Sequence, residues 1–480
     1  MTGNRVLTLT VGPMSHGGHC VARHEGRVVF VRHAVPGERV RAVLTEAAES
    51  AKFWRADTVD VLEPSDHRRR HPWKQADALR AYDQNQVPVG GADFGHISDS
   101  HQRRLKSQVF RDTLARIGGI ELSDLELPDA AADGEPSVQA LSGATGSGLH
   151  WRTRVSFAVR EGSLAMKPHR SHELIPLRSM PLAVEAVSAS HIFSWDFSGA
   201  DTVDVVAPGG EAPLTLVVHA FEESAEAVSG RLAEQAQQDP GVGSVILAVT
   251  SPQPQRRANR GPKGARRRRF DQLGPAAVEH RVLTGERTVE EPLPVAAAGS
   301  AGPGAAVRLP AEGFWQVHRS APQALVETVD RMARLPRGGS AADLYAGAGL
   351  FSAWAADTVG PTGQVLSVEA AEATSGAAQR LFASQPHVEV VTAPVERLAH
   401  RLQPADVVLL DPPRAGADKR VLSGISASSP GQIIYVSCDP ASFARDAKRL
   451  LELGWRLKDV ALLDMYPNTH HMESVALFEA

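Results

Sequence analysis

Ala341-Ala-Asp-Leu-Tyr-Ala-Gly-Ala-Gly-Leu-Phe351 is a short apolar strand that runs into a glycine turn and opens a helix. Gly347 and Gly349 lack a Cβ, so the backbone can turn sharply there and approach a ligand closely. Position 352 is Ser, which leaves the dinucleotide pattern G-x-G-x-x-G incomplete. Glu369 lies 20 residues after Gly349, at the end of the next apolar run, where a carboxylate can accept from ribose hydroxyls. NAD and S-adenosylmethionine both carry an adenosine ribose, so this loop alone does not separate them.

From about Pro322 apolar strands alternate with helical stretches: 341–345, 364–369, 388–392, 406–410 and 432–437. Such alternation predicts a parallel, doubly wound α/β sheet. The chain ends differently. Lys458–Met465 and Ser474–Phe478 are strands with too short a connection for a helical crossover, so they should pair antiparallel. Residues 4–62 read as short strands punctuated by Gly17-Gly18, Glu25-Gly26 and Pro36-Gly37, which suggests a five-stranded oligonucleotide-binding barrel. Apolar residues at helical spacing predict a helix over 98–117, stopped by Gly118-Gly119. Residues 121–137 are acidic and read as a surface linker. Residues 138–310 mix strand-like and helix-like pieces. The expected division is a barrel at 1–63, a central RNA-binding or insert domain at 64–310 and a catalytic domain at 311–480. The helix 98–117 is a candidate to pack on the last of these.

Bulk properties narrow the class. Net charge is −4 with His neutral, so any nucleic-acid surface must be a local patch. Such patches are offered by His67-Arg-Arg-Arg-His71, Arg103-Arg104 and Pro252–Arg269, the last with eight Arg or Lys and no acid. Residues 292–310, rich in Ala, Gly and Pro, read as a flexible connection. The two cysteines, Cys20 and Cys438, are too few for a disulfide framework or a four-cysteine cluster. No signal-like start and no apolar run of ~18 residues occur, so a cytoplasmic protein without a membrane span is expected.

Three further segments carry chemistry. Val407-Val-Leu-Leu-Asp-Pro-Pro-Arg414 ends the fourth strand, and its prolines fix Asp411 at the carboxyl edge, where ligands of open α/β sheets bind. Enzymes that methylate exocyclic amines place an aromatic after Asp-Pro-Pro. Arg414 stands there instead, suited to a phosphate or a base oxygen and poorly suited to stacking. Gln432-Ile-Ile-Tyr-Val-Ser-Cys-Asp-Pro440 puts Cys438 just beyond an apolar strand and before a forced turn. Burial as an inert thiol is the ordinary fate of a lone Cys, but this position is outside the run and beside Asp411. A thiolate adding to carbon 6 of uracil would make carbon 5 nucleophilic enough to accept a methyl group, after which a base must take the carbon 5 proton. The local field should then favour the thiolate, with Arg414 a contributor. Tyr466-Pro-Asn-Thr-His-His-Met-Glu473 joins the last two strands and offers Glu473 as the base, with His470 and His471 as alternatives. No third or fourth ligand recurs at regular spacing with the His pair, so no metal site is expected.

Together these segments resemble the RNA 5-methyluridine methyltransferase family, over nearly the whole chain. The barrel, above all Gly12–Val40, resembles the TRAM RNA-binding domain. The resemblance implies a class I methyltransferase fold, S-adenosylmethionine as cofactor and tRNA or rRNA as partner; nothing in the sequence demands a protein partner or more than a monomer. It gives cofactor contacts to Gln316 (within Gly313-Phe-Trp-Gln316), Tyr345, Gly347, Gly349, Glu369 and Asp411. It makes Cys438 the nucleophile and Glu473 the proton acceptor. Three departures stand out. No Cys occurs between 21 and 437, where many members carry iron–sulfur ligands, so no cluster is expected; Leu350 stands where the family often has Asn; and Asn468 stands where many members have His.

Competing readings remain distinguishable. A methyltransferase acting on another base would leave uridine unmodified. A catalytically retired RNA-binding protein would transfer no methyl group, though intact Cys438 and Glu473 speak against it. An NAD-dependent oxidoreductase would co-purify with its nucleotide.

Overall fold

The computed structural model describes residues 5–122, 137–144, 147–251, 278–294 and 305–480. The basic run 252–269 and most of the acidic linker 121–137 lie outside the described residues, as does 295–304 within the Ala/Gly/Pro stretch.

Residues 6–63 form a six-stranded sheet in the order Val6–Thr10, Arg39–Glu46, Phe53–Glu63, Arg27–Arg32, His19–His24, Met14–Ser15. Every neighbouring pair is antiparallel except Phe53–Glu63 with Arg27–Arg32. The sixth strand, absent from the sequence reading, is only Met14–Ser15, too short to show alternation. Alternate residues of Val6–Thr10 face inward, and Leu7, Leu9, Val29, Val31 and Val40 fill the interior.

The predicted helix runs Asp99–Thr113 and widens into a π-helical turn at Leu114–Gly118, ended by Gly119 in the left-handed conformation. Its Leu105 and Val109 complete the barrel core, while Phe110 and Leu114 enter the core of the C-terminal sheet. The same helix thus buries two faces, one against each unit.

The middle region holds a seven-stranded sheet ordered Ile175–Pro176, Ser163–Met166, Arg154–Arg160, Ala200–Val206, Leu214–Phe221, Val242–Thr250, Val278–Thr284. Its parallel pair, Leu214–Phe221 with Val242–Thr250, is bridged by the helix Glu222–Gln238, as a parallel crossover requires. Thr288–Pro292 and Ala306–Pro310 pair as a separate ribbon.

The catalytic sheet has eight strands: β1 (Val138–Ala140), β2 (Ser340–Leu344), β3 (Gln364–Glu369), β4 (Val388–Thr392), β5 (Val407–Leu410), β6 (Gln432–Ser437), β7 (Arg456–Asp464) and β8 (Glu473–Glu479). Their spatial order is β4-β3-β2-β5-β6-β8-β7-β1. The pairs among β2–β6 are parallel, and β8 lies antiparallel between β6 and β7. This is the α/β class I methyltransferase sheet with its terminal hairpin. β1 joins its edge parallel to β7, through Leu462 opposite Val138. The sequence reading grouped 138–140 with the middle region, because three residues carry no pattern that could assign them across more than 300 positions of chain. Among the described residues, no helix is long and apolar enough to cross a membrane.

Candidate active site

The carboxyl ends of β2, β3, β5 and β6 open onto one cavity of about 1100 Å³. Gln316, Tyr345, Gly347, Glu369, Asp411, Arg414, Cys438 and Glu473 all line it. Gly349, the remaining expected cofactor residue, does not. It caps the helix Leu350–Val359 at φ 93°, and a Cβ there would sit 3.0 Å from Phe382. A side chain there would force the turn open.

The glycine loop is built from β2 outward. Tyr345 follows the strand at φ 62°, and its hydroxyl lies 3.4 Å from Glu396 Oε1. Gly347 donates its backbone N–H to Glu369 Oε2 at 2.9 Å, while Ala371 N donates to Oε1 at 2.6 Å. Each oxygen keeps a free lone-pair direction for a ribose hydroxyl. A Cβ built on Gly347 meets nothing within 4 Å, so the loop borders open space. Beneath it Asp343 is buried, with Oδ2 2.6 Å from Ser352 Oγ and Oδ1 without a partner; burial pushes its carboxyl up to about 7. Leu350, Phe351, Pro394 and Val395 supply apolar walls. An open glycine cradle, acceptors at the end of β3 and apolar walls fit an adenosyl group. Gln316, Tyr345, Gly347, Glu369 and Asp411 are the residues placed to hold it.

Opposite the cradle stand Cys438 and Glu473. β8 pairs with β6 so that Ser437 faces Ser474. Continuing that antiparallel register puts Cys438 across from Glu473, which explains how two motifs 35 residues apart in sequence share one point. Cys438 is a half-buried free thiol. Asp439 behind it caps the helix Pro440–Glu452 by accepting from Ser442 N at 2.7 Å, which fixes the turn that presents the sulfur.

The electrostatics reverse one expectation. Burial, reinforced by Glu473, pushes the Cys438 thiol up to about 12; Arg414 acts in the opposite, thiolate-favouring sense but is outweighed. Arg414 is exposed and water screens it, whereas the desolvation acts on the sulfur itself. Glu473 is only 4% exposed, and burial beside Asp411 holds its carboxyl well above the usual range. Burial also raises Asp411, to about 7. The alternatives to Glu473 fare differently. His470 Nδ1 pairs with Asp93 Oδ2 at 2.7 Å, which raises it, while burial and His470 push His471 down to about 3.

Several wall residues escaped the sequence reading. Arg152 comes from the middle region with a largely desolvated guanidinium, and Phe314 is 63% exposed on the wall. Phe314 was within the quoted Gly313–Gln316 stretch, and its exposure is the signal that singles it out. Arg152 carries no local pattern at all. Asn468, the departure from the resembling family, is fully buried. Its side chain accepts from Arg69 at 2.6 Å and Gln102 at 3.1 Å, and donates to Gly148 O at 2.7 Å, so it ties the hairpin to the long helix. Part of the basic run His67–His71 is likewise structural: Arg68 is locked to buried Glu38 at 2.6 Å, and His71 is buried, leaving Arg70 exposed. Among the described residues, no group of three or more His, Cys, Asp or Glu side chains is arranged to hold a metal ion.

Comparison with known proteins adds independent findings. Residues 395–480 match the family model described as tRNA (Uracil-5-)-methyltransferase, and residues 2–59 match the TRAM domain. An uncharacterized RNA methyltransferase of Streptomyces avermitilis is 33% identical over 98% of this chain and 97% of its own length. The 23S rRNA (uracil(1939)-C(5))-methyltransferase RlmD of a Shewanella species is 28% identical over 98% of this chain and 95% of its own. Among solved structures, the Pyrococcus abyssi tRNA (uracil-54, C5)-methyltransferase in complex with S-adenosyl-L-homocysteine superposes with a TM-score of 0.63. It is 18% identical, covering 98% of this chain and all of its own, a likeness of fold.

Proposed function

Because this chain belongs to the S-adenosylmethionine-dependent RNA methyltransferases that carry a TRAM domain, related to the uracil-C5 enzymes of tRNA and rRNA, we propose that it methylates carbon 5 of one uridine in tRNA or rRNA through a covalent bond from Cys438. Uracil-C5 methylation is the activity of this enzyme type; the covalent route, the residue roles and the RNA are the proposal. The observation that carries it is the meeting of Cys438 and Glu473 on one cavity wall, facing a glycine cradle that fits an adenosyl group.

S-adenosylmethionine, held by Gln316, Tyr345, Gly347, Glu369 and Asp411, supplies an electrophilic methyl group. The target base leaves its stack and enters the cavity. Phe314, an exposed ring on the wall, offers it a stacking face. Cys438 passes its proton to Asp411, so that Glu473 stays ionised for the later step, and its sulfur bonds to carbon 6. The ring electrons move to the carbon 4 oxygen, giving carbon 5 the carbanion character needed to bond the methyl carbon, whose bond to the sulfonium would break with the electron pair left on that sulfur. Arg414 and Arg152, the cations of the wall, favour that negative charge. Glu473 in its ionised form takes the proton from carbon 5, and the sulfur–carbon 6 bond breaks as the double bond returns.

The test is incubation with S-adenosylmethionine and 5-fluorouridine-containing tRNA and rRNA fragments. Fluorine in place of the carbon 5 hydrogen blocks elimination. A stable protein–RNA adduct is expected, lost in Cys438→Ala. No adduct with wild type, or an equal adduct with Cys438→Ala, overturns the mechanism.

A further inference from the structure

Glu473 makes one side-chain hydrogen bond among the described residues, from the hydroxyl of Tyr466 to Oε2 at 3.4 Å. Tyr466 stands seven residues upstream, in the connection between the two hairpin strands. Its ring is held on two sides, edge-on to Trp151 (centroids 6.2 Å apart) and to His471 (5.9 Å). Its carbonyl accepts from Lys106 Nζ at 3.0 Å and from Thr469 Oγ1 at 2.8 Å. Two ring contacts and two hydrogen bonds to its main-chain carbonyl therefore hold Tyr466 in place without Glu473. A buried carboxylate with one donor depends on that donor for both direction and charge.

We propose that Tyr466 is a positioning residue for the proton-abstraction step: its hydroxyl orients the Glu473 carboxylate toward the target carbon and stabilises its ionised form. The inference rests on the reading of Glu473 as the base. The hydroxyl lines the same cavity as Cys438, Asp411 and Glu473. The ionisable groups that face Glu473 are Asp411 and Arg414 from the loop after β5, Cys438 from the end of β6, and Tyr466 itself. Arg152 stands behind Tyr466. Burial and Asp411 push the Glu473 proton affinity up, while the Tyr466 hydrogen bond and Arg414 pull it down. Of these two opposing groups, only the phenol bonds the carboxylate directly. The phenol donates to the ionised carboxylate until that carboxylate takes the proton from the methyl-bearing carbon. The phenol proton itself stays on oxygen, because burial among acids holds Tyr466 well above its ordinary range.

The sign of the pH effect follows. A donor to the carboxylate lowers the pH at which Glu473 ionises, so removing it raises that pH. The acid-side limb of the kcat profile should then move to higher pH in Tyr466→Phe, which keeps the ring and its packing. With the unmodified tRNA or rRNA transcript that the wild-type chain methylates, kcat should fall by roughly three- to tenfold, with KM for RNA unchanged. The methylated covalent adduct should accumulate on denaturing gels, because elimination is the step slowed. Site-specific 3-fluorotyrosine at 466, a stronger donor of nearly the same size, should move the limb the other way.

Glu473→Gln separates the two layers. If it accumulates adduct while Tyr466→Phe keeps the wild-type pH profile and no adduct, the positioning role falls and the base assignment stands. If Glu473→Gln turns over without accumulating adduct, the base assignment itself falls. Opposite limb shifts in the two Tyr466 variants support the inference; superimposable profiles in both overturn it.

Discussion

Cys438, the nucleophile we propose, is shielded by burial. Its motif and its place beyond an apolar strand were legible, because strand ends and Asp-Pro turns are local features. Its ionisation was not legible, since desolvation and the approach of Glu473 arise only when β6 and β8 pair. A thiol pushed up to about 12 is protonated at neutral pH. Its alkylation by iodoacetamide should therefore climb about tenfold per pH unit from 7 to 10 without levelling, where an ordinary thiol levels near its value of about 8.5. The rate measured against Cys438→Ala checks this, and a plateau at or below pH 9 would contradict it.

The long helix Asp99–Thr113 shows what a single element contributes. Its apolar spacing and its glycine stop are sequence signals, but Lys106 falls on the same buried face. Lys106 is fully buried, its Nζ 2.6 Å from Asp464 Oδ1 at the end of β7 and 3.0 Å from Tyr466 O. A lysine in a helical pattern ordinarily reads as a solvated position, and nothing local marks this one as an anchor for the catalytic hairpin. Lys106→Met leaves the Asp464 charge buried and unpaired, and should destabilise the fold by about 3–5 kcal/mol in denaturant titration. Lys106→Met with Asp464→Leu should recover most of that loss, because both charges are then gone. If the single variant unfolds at the wild-type midpoint, the pair is not an anchor.

The whole molecule closes by setting the barrel against the catalytic edge. A Cβ on Gly18, at φ 76°, would sit 2.8 Å from Asp93 Oδ2 and 2.9 Å from His470 Cβ, so the barrel loop meets His470 where no side chain fits. His16 reaches Asp439, the residue after the nucleophile, at 3.3 Å. A second cavity of about 200 Å³ lies at this junction and shares Cys438 and Arg414 with the larger one. Barrel stability should be acid-sensitive. Burial lowers His33 to about 3 and His19 to about 4, against about 6.5 in an unfolded chain. Between those limits the unfolded state binds more protons, so stability is full above about pH 6.5 and is lost as pH falls toward 4. His470, raised by Asp93, works in the opposite sense at the junction, its contribution present below about 6.5 and lost as pH rises through its elevated value. Melting temperature across pH 4–7.5 should fall on acidification, and His33→Gln should flatten the fall. A pH-independent melting temperature would contradict the assignment.

By itself the sequence determined the strand–helix alternation, the terminal hairpin, the glycine cradle and the identities of Cys438 and Glu473. Each of these is written in local periodicity, turn chemistry or an ordered motif. Only the tertiary structure decided that β1 completes the catalytic sheet, that Arg152 and Phe314 join its cavity wall, and that Arg68, Lys106 and Asn468 are internal ties. Those outcomes depend on contacts between residues distant in the chain, and on burial that changes what a charge costs. Neither quantity exists until the elements have packed.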